Sequence, residues 1–296
     1  MGALGCEMYW GNGRYNDLIS AVRKDPVNTR MPEEAADQAS PSSFIHELIC
    51  RFEEEVGTYQ IDTVIEEVVF TVYLDGMPLR DMTCSPWHVR ELVLGSLYTS
   101  GKIECAEDVV SLVVDEEQGE VHVETRARTS ACPEAAGKVV DRVLCPEARS
   151  VAPVEPMLTA EEVTTRIGFL EGNSQLFHRT GGVHSAVLVE HTGELVAWFE
   201  DIGRHNALDK LAGWCVANHV DARDKILLFS GRVPREIIAR AIRIGVPVVI
   251  SPGAPTNLSI QLACEHGVTL IGFAKNGTFN VYTHATRIKP AVPGVD

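Results

Sequence analysis

Ile226-Leu227-Leu228-Phe229-Ser230-Gly231-Arg232-Val233-Pro234 is the stretch from which the fold can be worked out. Four consecutive apolar residues run into a Ser-Gly turn, and a proline then suits the opening of a helix. A short apolar run of this kind reads as a strand covered on both faces. The same unit repeats downstream. A helix is predicted over 234–244, a strand over 246–250, a helix over 258–266, a strand over 269–273 and a last strand over 280–283. Upstream, strands are predicted over 183–189 and 194–199 and a helix over 207–218. Thr159-Ala160-Glu161-Glu162 has capping-box spacing and opens a helix to about residue 171. This alternation argues for an α/β sandwich with a largely parallel sheet over 159–288.

The rest of the 296 residues has room for a second, smaller domain. Residues 1–54 are predicted to be a poorly ordered extension, polar at first and passing through Ala39-Ser40-Pro41-Ser42-Ser43. Residues 55–128 read as a small α+β domain. There Val68, Phe70, Val72 and Leu74 alternate up to an Asp75-Gly76 turn, and Leu79 to Met82 would be the hairpin partner. A helix should follow Pro86, with Val89, Leu92, Val93 and Leu97 on one face. The stretch 106–114 fits a short helix or a strand end, and 120–125 alternates as a strand. Residues 129–158, with Pro133, Pro146, Pro153 and Pro156, read as a linker able to carry function, and 289–296 as a tail.

Composition narrows the functional classes. Net charge is −15, which speaks against nucleic acid as a partner. The charge is uneven, however: residues 226–296 hold 7 Lys/Arg against 3 Asp/Glu. A basic last quarter in an acidic protein suits a small anionic ligand. The 8 cysteines are scattered with no C-x-x-C pair, which fits neither a disulfide framework nor a zinc knuckle. No segment approaches the ~20 apolar residues of a membrane span. Ala3-Leu4-Gly5-Cys6 is faintly like a lipoprotein cleavage box, but no apolar stretch precedes it. The expectation is a soluble, cytoplasmic protein.

Four loops at strand ends could hold such an anion, since open α/β sheets bind ligands there. Ser230-Gly231-Arg232 offers helix-start amides and a guanidinium. Ser251-Pro252-Gly253-Ala254-Pro255-Thr256-Asn257 enters the next helix. Phe273-Ala274-Lys275-Asn276-Gly277-Thr278 supplies a lysine and a glycine turn, and Glu200-Asp201-Ile202-Gly203-Arg204-His205-Asn206 supplies a fourth start. Each alone fits an ordinary connection; together, with basic residues on three, they favour a phosphate-bearing ligand. His184 and His205 sit in these glycine-flanked loops as substrate binders or as structural residues. Neither a P-loop nor G-x-G-x-x-G is present, nor a G-x-S-x-G elbow. His122-Val123-Glu124 matches half of a zinc deaminase site, but the Pro-Cys-x-x-Cys half is missing.

Among the thiols, Cys132 stands out in Thr129-Ser130-Ala131-Cys132-Pro133-Glu134-Ala135-Ala136-Gly137-Lys138. Pro133 fits the first position of a helix, which would make Cys132 its N-cap, where free amides favour the thiolate. The other reading is an ordinary linker residue. Cys145-Pro146-Glu147-Ala148 repeats the tetrapeptide. Cys84, Cys105, Cys215 and Cys264 lie in apolar patterned stretches and are predicted to be small core residues.

Taken in order, Thr180-Gly181-Gly182-Val183-His184-Ser185-Ala186, the stretch from Glu200 to Lys210, Ser230-Gly231-Arg232, Ala254-Pro255-Thr256 and Gly272-Phe273-Ala274-Lys275 resemble the formate dehydrogenase accessory sulfurtransferase family, FdhD/NarQ. The resemblance covers about 60–288. It implies a cytidine-deaminase-like three-layer α/β/α sandwich without the zinc site, beside the smaller N-terminal α+β domain. It implies a sulfurtransferase that takes sulfur from a cysteine desulfurase as a cysteine persulfide. The recipient would be the molybdenum (or tungsten) bis-molybdopterin guanine dinucleotide used by formate dehydrogenase, bound transiently by a homodimer. Cys132 matches the family's first loop thiol, and 273–278 its cofactor-binding stretch. Arg204, His205, Ser230, Gly231, Arg232 and His184 would complete that site. The family's second loop cysteine is missing here, so a cofactor chaperone that moves no sulfur is the alternative.

Overall fold

The computed structural model describes residues 44–126 and 158–289. Cys132, Cys145 and most of the linker lie outside them. The chain divides between Val64 and Ile65 into two units.

The first unit is a two-stranded sheet of β1 (Phe44–Glu53) and β2 (Val56–Ile65). Residues 44–53, assigned above to the poorly ordered extension, are a strand. Its turn is Glu54-Glu55, with Glu54 in the left-handed region at φ 55°. That pair lacks the Asn-Gly or Asp-Gly signal by which such turns are usually read.

In the second unit, a four-stranded sheet has the order β4-β3-β6-β5. It comprises β3 (Val68–Leu74), β4 (Met77–Cys84), β5 (Val109–Asp115) and β6 (Glu120–Thr125). The β3–β4 turn is Asp75-Gly76, both at positive φ, as its sequence requires. Helix α1 (Val89–Thr99) covers one face, burying Leu92, Val93 and Leu97 against Phe70, Val72, Met82, Val121 and Val123. The ambiguous stretch 106–114 resolves into a 3-10 turn, Ala106–Asp108, followed by β5.

The six-stranded sheet contains β7 (His184–Val189), β8 (Leu195–Asp201), β9 (Ile226–Phe229), β10 (Val248–Ile250), β11 (Thr269–Lys275) and β12 (Thr278–Val281), in the order β12-β11-β10-β9-β7-β8. Only β9–β10 and β10–β11 pair in parallel; β7–β8, β7–β9 and β11–β12 are antiparallel. The expectation of a largely parallel sheet is therefore corrected to a mixed one. Burial on both faces gives apolar runs whatever the strand direction, and the connections 190–194 and 276–277 are too short for crossovers.

Side-chain alternation divides the core in two. Val187, Val189, Ile226, Leu228, Val248, Ile250 and Ile271 pack beneath α2 (Ala160–Asn173), which is followed by the short α3 (Gln175–Thr180). Ala186, Leu188, Leu227, Phe229, Val249 and Leu270 face α4 (Arg204–Ala217), α5 (Arg235–Ile244) and α6 (Asn257–Glu265). Helices thus cover both faces. No helix among the described residues is long and apolar enough to cross a membrane.

Helices α1 and α4 join the two sheets. A Cβ on Gly95 would stand 1.7 Å from the Asp209 carbonyl oxygen, and one on Gly213 would stand 1.9 Å from that of Glu91. Only glycine allows the two backbones to touch at this crossing.

Candidate functional site

The loops leaving β9, β10 and β11 lie against one another. The Ser251 hydroxyl donates to the Gly231 carbonyl at 2.7 Å, the Val233 amide to Ala254 at 3.0 Å and the Phe273 amide to Gly253 at 3.2 Å. Gly253 is held so close that a Cβ would meet the Gly231 oxygen at 2.5 Å. Ser230 ties this layer to β7: its amide donates to the Ser185 carbonyl at 3.0 Å, and its hydroxyl accepts from the Ser185 amide at 2.8 Å.

His184, at the start of β7, shares this edge with two guanidinium groups. Its Nδ1 would be 3.4 Å from a Cβ on Gly231. Burial pulls its pKa below the usual histidine value, and the charges on Arg204 and Arg232 add to that, against an opposing pull from Asp201. The ring is therefore neutral near pH 7. Arg204, the first residue of α4, keeps its Nε buried and without a hydrogen-bond partner among the described residues. Arg232 is exposed. No carboxylate among the described residues forms an ion pair with either arginine, so both charges are available to an anion.

Asp201, the nearby acid, is fully committed. Its Oδ1 accepts from the Gly203 amide at 2.8 Å and from the Asn206 side-chain amide at 2.9 Å. Its Oδ2 lies 2.7 Å from the Lys210 ammonium and accepts from the Ser85 hydroxyl at 2.8 Å. The Lys210 ammonium also donates to Ser85 Oγ at 2.9 Å and stands 5.0 Å from the Trp87 ring centroid. This buried cluster fixes the turn that opens α4 and so aims Arg204. Asp209 does similar work one turn on, accepting from Thr99 at 2.7 Å and from Arg240 Nε at 2.8 Å. Asp201, Asp209 and Lys210 all fall within the stretch from Glu200 to Lys210, where the sequence alone assigns them no role. Ser85, more than a hundred positions away in sequence, carried no signal.

The structure distributes the other expected residues unevenly. His205 lines a cleft of about 320 Å³ with Arg80, Asp209, Glu236 and Arg240. Its Nε2 is buried without a hydrogen-bond partner among the described residues, and burial together with Arg240 and Arg204 lowers its pKa. Phe273 adopts left-handed φ 52° at an irregularity between β11 and β12, half-exposed beside Gly253. Ala274 is buried and donates its amide to Ser251, which makes it a packing residue. Lys275 and Thr278 close a hairpin whose turn is Asn276-Gly277, both at positive φ. No hydrogen bond or ion pair among the described residues ties that turn to the His184 cluster.

The thiols need one correction. Cys84 and Cys215 are buried as expected, and burial pushes each thiol up to about 12, which keeps them protonated. Cys105 and Cys264 are exposed rather than core residues. Cys264 follows the buried Leu262 and Ala263 on α6, where the helical turn carries it to the outer face, and Cys105 precedes a 3-10 turn.

The model of the FdhD/NarQ family matches residues 65–289. A "Sulfur carrier protein FdhD" from Bacillus pumilus (strain SAFR-032) is 36% identical over 260 residues, covering 84% of this chain and 99% of its own. The protein of the same description from Bacillus subtilis (strain 168) is 36% identical over 252 residues, covering 81% and 96%. The crystal structure of a candidate formate dehydrogenase accessory protein from Desulfotalea psychrophila superimposes with a TM-score of 0.67 at 23% identity, over 83% of this chain and 99% of that one, a likeness of fold. With most of its described residues under the family model and curated relatives matched over nearly their whole length, this chain belongs to the FdhD/NarQ family.

Proposed function

We propose that the protein is a sulfur carrier for formate dehydrogenase maturation. The Cys132 thiolate attacks the outer sulfur of a cysteine desulfurase persulfide. One S–S bond forms as another breaks, the desulfurase thiolate leaves, and Cys132 holds the persulfide. The outer sulfur then goes to the molybdenum (or tungsten) bis-molybdopterin guanine dinucleotide, bound as cargo by a homodimer. In this reading the second unit carries a cytidine-deaminase-like three-layer sandwich.

The observation that carries the cargo half is the pair of uncompensated guanidinium groups, Arg204 and Arg232, beside the neutral His184. Phosphates of the dinucleotide suit them, through charge-assisted hydrogen bonds with the amides of Gly231 and Arg232 alongside. Phe273 offers a ring to a guanine base, and Lys275 to Thr278 extend the same stretch. His205 belongs to the neighbouring cleft. The relatives' description as sulfur carriers supports the sulfur half.

The decisive variant is Cys132→Ala. Activation of formate dehydrogenase should be lost while guanosine diphosphate binding stays unchanged. Full activation by this variant would favour the second reading, a chaperone that hands over the cofactor without moving sulfur. That reading rests on the single cysteine in Cys132-Pro133-Glu134-Ala135-Ala136-Gly137-Lys138, where the resemblance leads one to expect a pair.

A further inference from the structure

Helix α2 opens with Glu161 and Glu162 and carries Arg166 one turn on. An acid four residues before a base normally closes an ion pair on a helix. Here the pair stays open. Glu162 turns back to the helix start, accepting from the Thr159 amide at 2.7 Å, while the Thr159 hydroxyl accepts from the Glu162 amide at 3.1 Å. Arg166 is only 5% exposed. Its Nη2 donates to the His191 carbonyl, and Nε and Nη1 have no hydrogen-bond partner among the described residues. Such a guanidinium bears the cost of leaving water with the Glu162 charge acting on it from beyond ion-pair distance, a weaker offset than a closed pair.

Beside it lies a cavity of about 300 Å³, with Glu161, Glu162, Arg166, Phe169, Val189 and Leu228 among its lining residues. Gly193, at φ 98° in the β7–β8 turn, brings the backbone close enough that a Cβ would stand 3.9 Å from Arg166 Nε and Nη2. At a rise of 1.5 Å per residue, the helix backbone advances about 6 Å from Glu162 to Arg166 and about 10 Å to Phe169. A simple anion would meet two carboxylates here, and a simple amine would meet the guanidinium. An α-amino acid satisfies all three features. Its carboxylate faces Arg166, its ammonium the Glu161–Glu162 turn, and its side chain the apolar wall of Phe169, Val189 and Leu228.

We propose that this cavity binds a free α-amino acid with an aliphatic side chain. It is separate from the anion site described above. His184 begins β7 and Val189 ends it, which places the two sites about 17 Å apart along that strand. The inference therefore does not depend on how sulfur or cofactor is handled.

The test is calorimetric titration of the full chain with L-leucine, 4-methylpentanoate (no ammonium) and 3-methylbutylamine (no carboxylate). Leucine should bind saturably at one site per chain, and each analogue should bind at least roughly tenfold more weakly. Arg166→Gln should weaken leucine by a similar factor. Glu162→Gln keeps the capping box, because glutamine serves at that position, and should weaken leucine while leaving 4-methylpentanoate unchanged. If Arg166→Gln fails to fold, the Glu162→Gln comparison decides. Absence of saturable leucine binding, equal affinity for leucine and 4-methylpentanoate, or undiminished leucine binding by a folded Arg166→Gln protein would each overturn the proposal.

Discussion

Asp201 and Lys210 stand 2.7 Å apart with both side chains fully buried, and the Ser85 hydroxyl closes the triangle. The pair spans the opening turn of α4 and joins it to the end of β4, so the position of Arg204 depends on a contact between residues of the two sheets. Breaking such a pair leaves a buried charge, which costs about 3–5 kcal/mol, whereas replacing both partners by apolar or neutral groups costs far less. Lys210→Met alone should therefore lower unfolding free energy by about that amount. Asp201→Asn/Lys210→Met together should recover much of it, as read by urea denaturation.

The α1–α4 crossing gives a second stability prediction. Gly95→Ala places a methyl inside the backbone of α4, 1.7 Å from the Asp209 oxygen. Helix separation should cost about 3 kcal/mol or more, since overpacking typically costs 1–3 where atoms can give way. Gly168→Ala on α2 meets nothing within 4 Å and should stabilise by roughly 0.5–1 kcal/mol. Parallel urea melts of the two variants check both signs.

For the anion site, Arg204→Ala and Arg232→Ala should each weaken guanosine diphosphate by roughly tenfold or more, with a shallower salt dependence than wild type. Lys225→Ala serves as the control. That lysine is already paired with Glu190 at 2.8 Å, and its loss should leave binding unchanged.

His184 adds a pH dependence. Its folded pKa lies below 6.5 because of burial and the two arginines. Above 6.5 it is neutral in both folded and unfolded chains and contributes nothing to the pH slope. As pH falls through 6.5 the unfolded chain takes up the proton first, so stability drops until the lower folded pKa is passed. A bound phosphate reverses the local repulsion and raises that pKa. Affinity for the diphosphate should therefore increase as pH falls toward the lowered folded pKa of His184, and this increase should disappear in His184→Gln.

How much of this was legible in the sequence follows from the range of the interactions. Most strands and helices from 159 onward are readable because apolar runs, turn residues and the Thr159 capping box act locally; the short α3 is not. Strand direction was not, since Val187 and Leu227 are buried alike in antiparallel and parallel neighbours. Strand β1 has no turn signal to mark it, because its turn is Glu54-Glu55. At the site, the charged loops announced Arg204, Arg232 and His184. The supports beneath them, Ser85 under Asp201 and Thr99 under Asp209, join positions more than a hundred residues apart and leave no periodic trace.

The central claim is that Cys132 carries sulfur, and intact-protein mass spectrometry tests it most directly. Wild type, Cys132→Ala and Cys145→Ala are each incubated with a cysteine desulfurase and cysteine. The account predicts a reducible gain of one sulfur atom in wild type and Cys145→Ala and none in Cys132→Ala. A gain that persists in Cys132→Ala, or no gain in any form beside a competent desulfurase control, would contradict it.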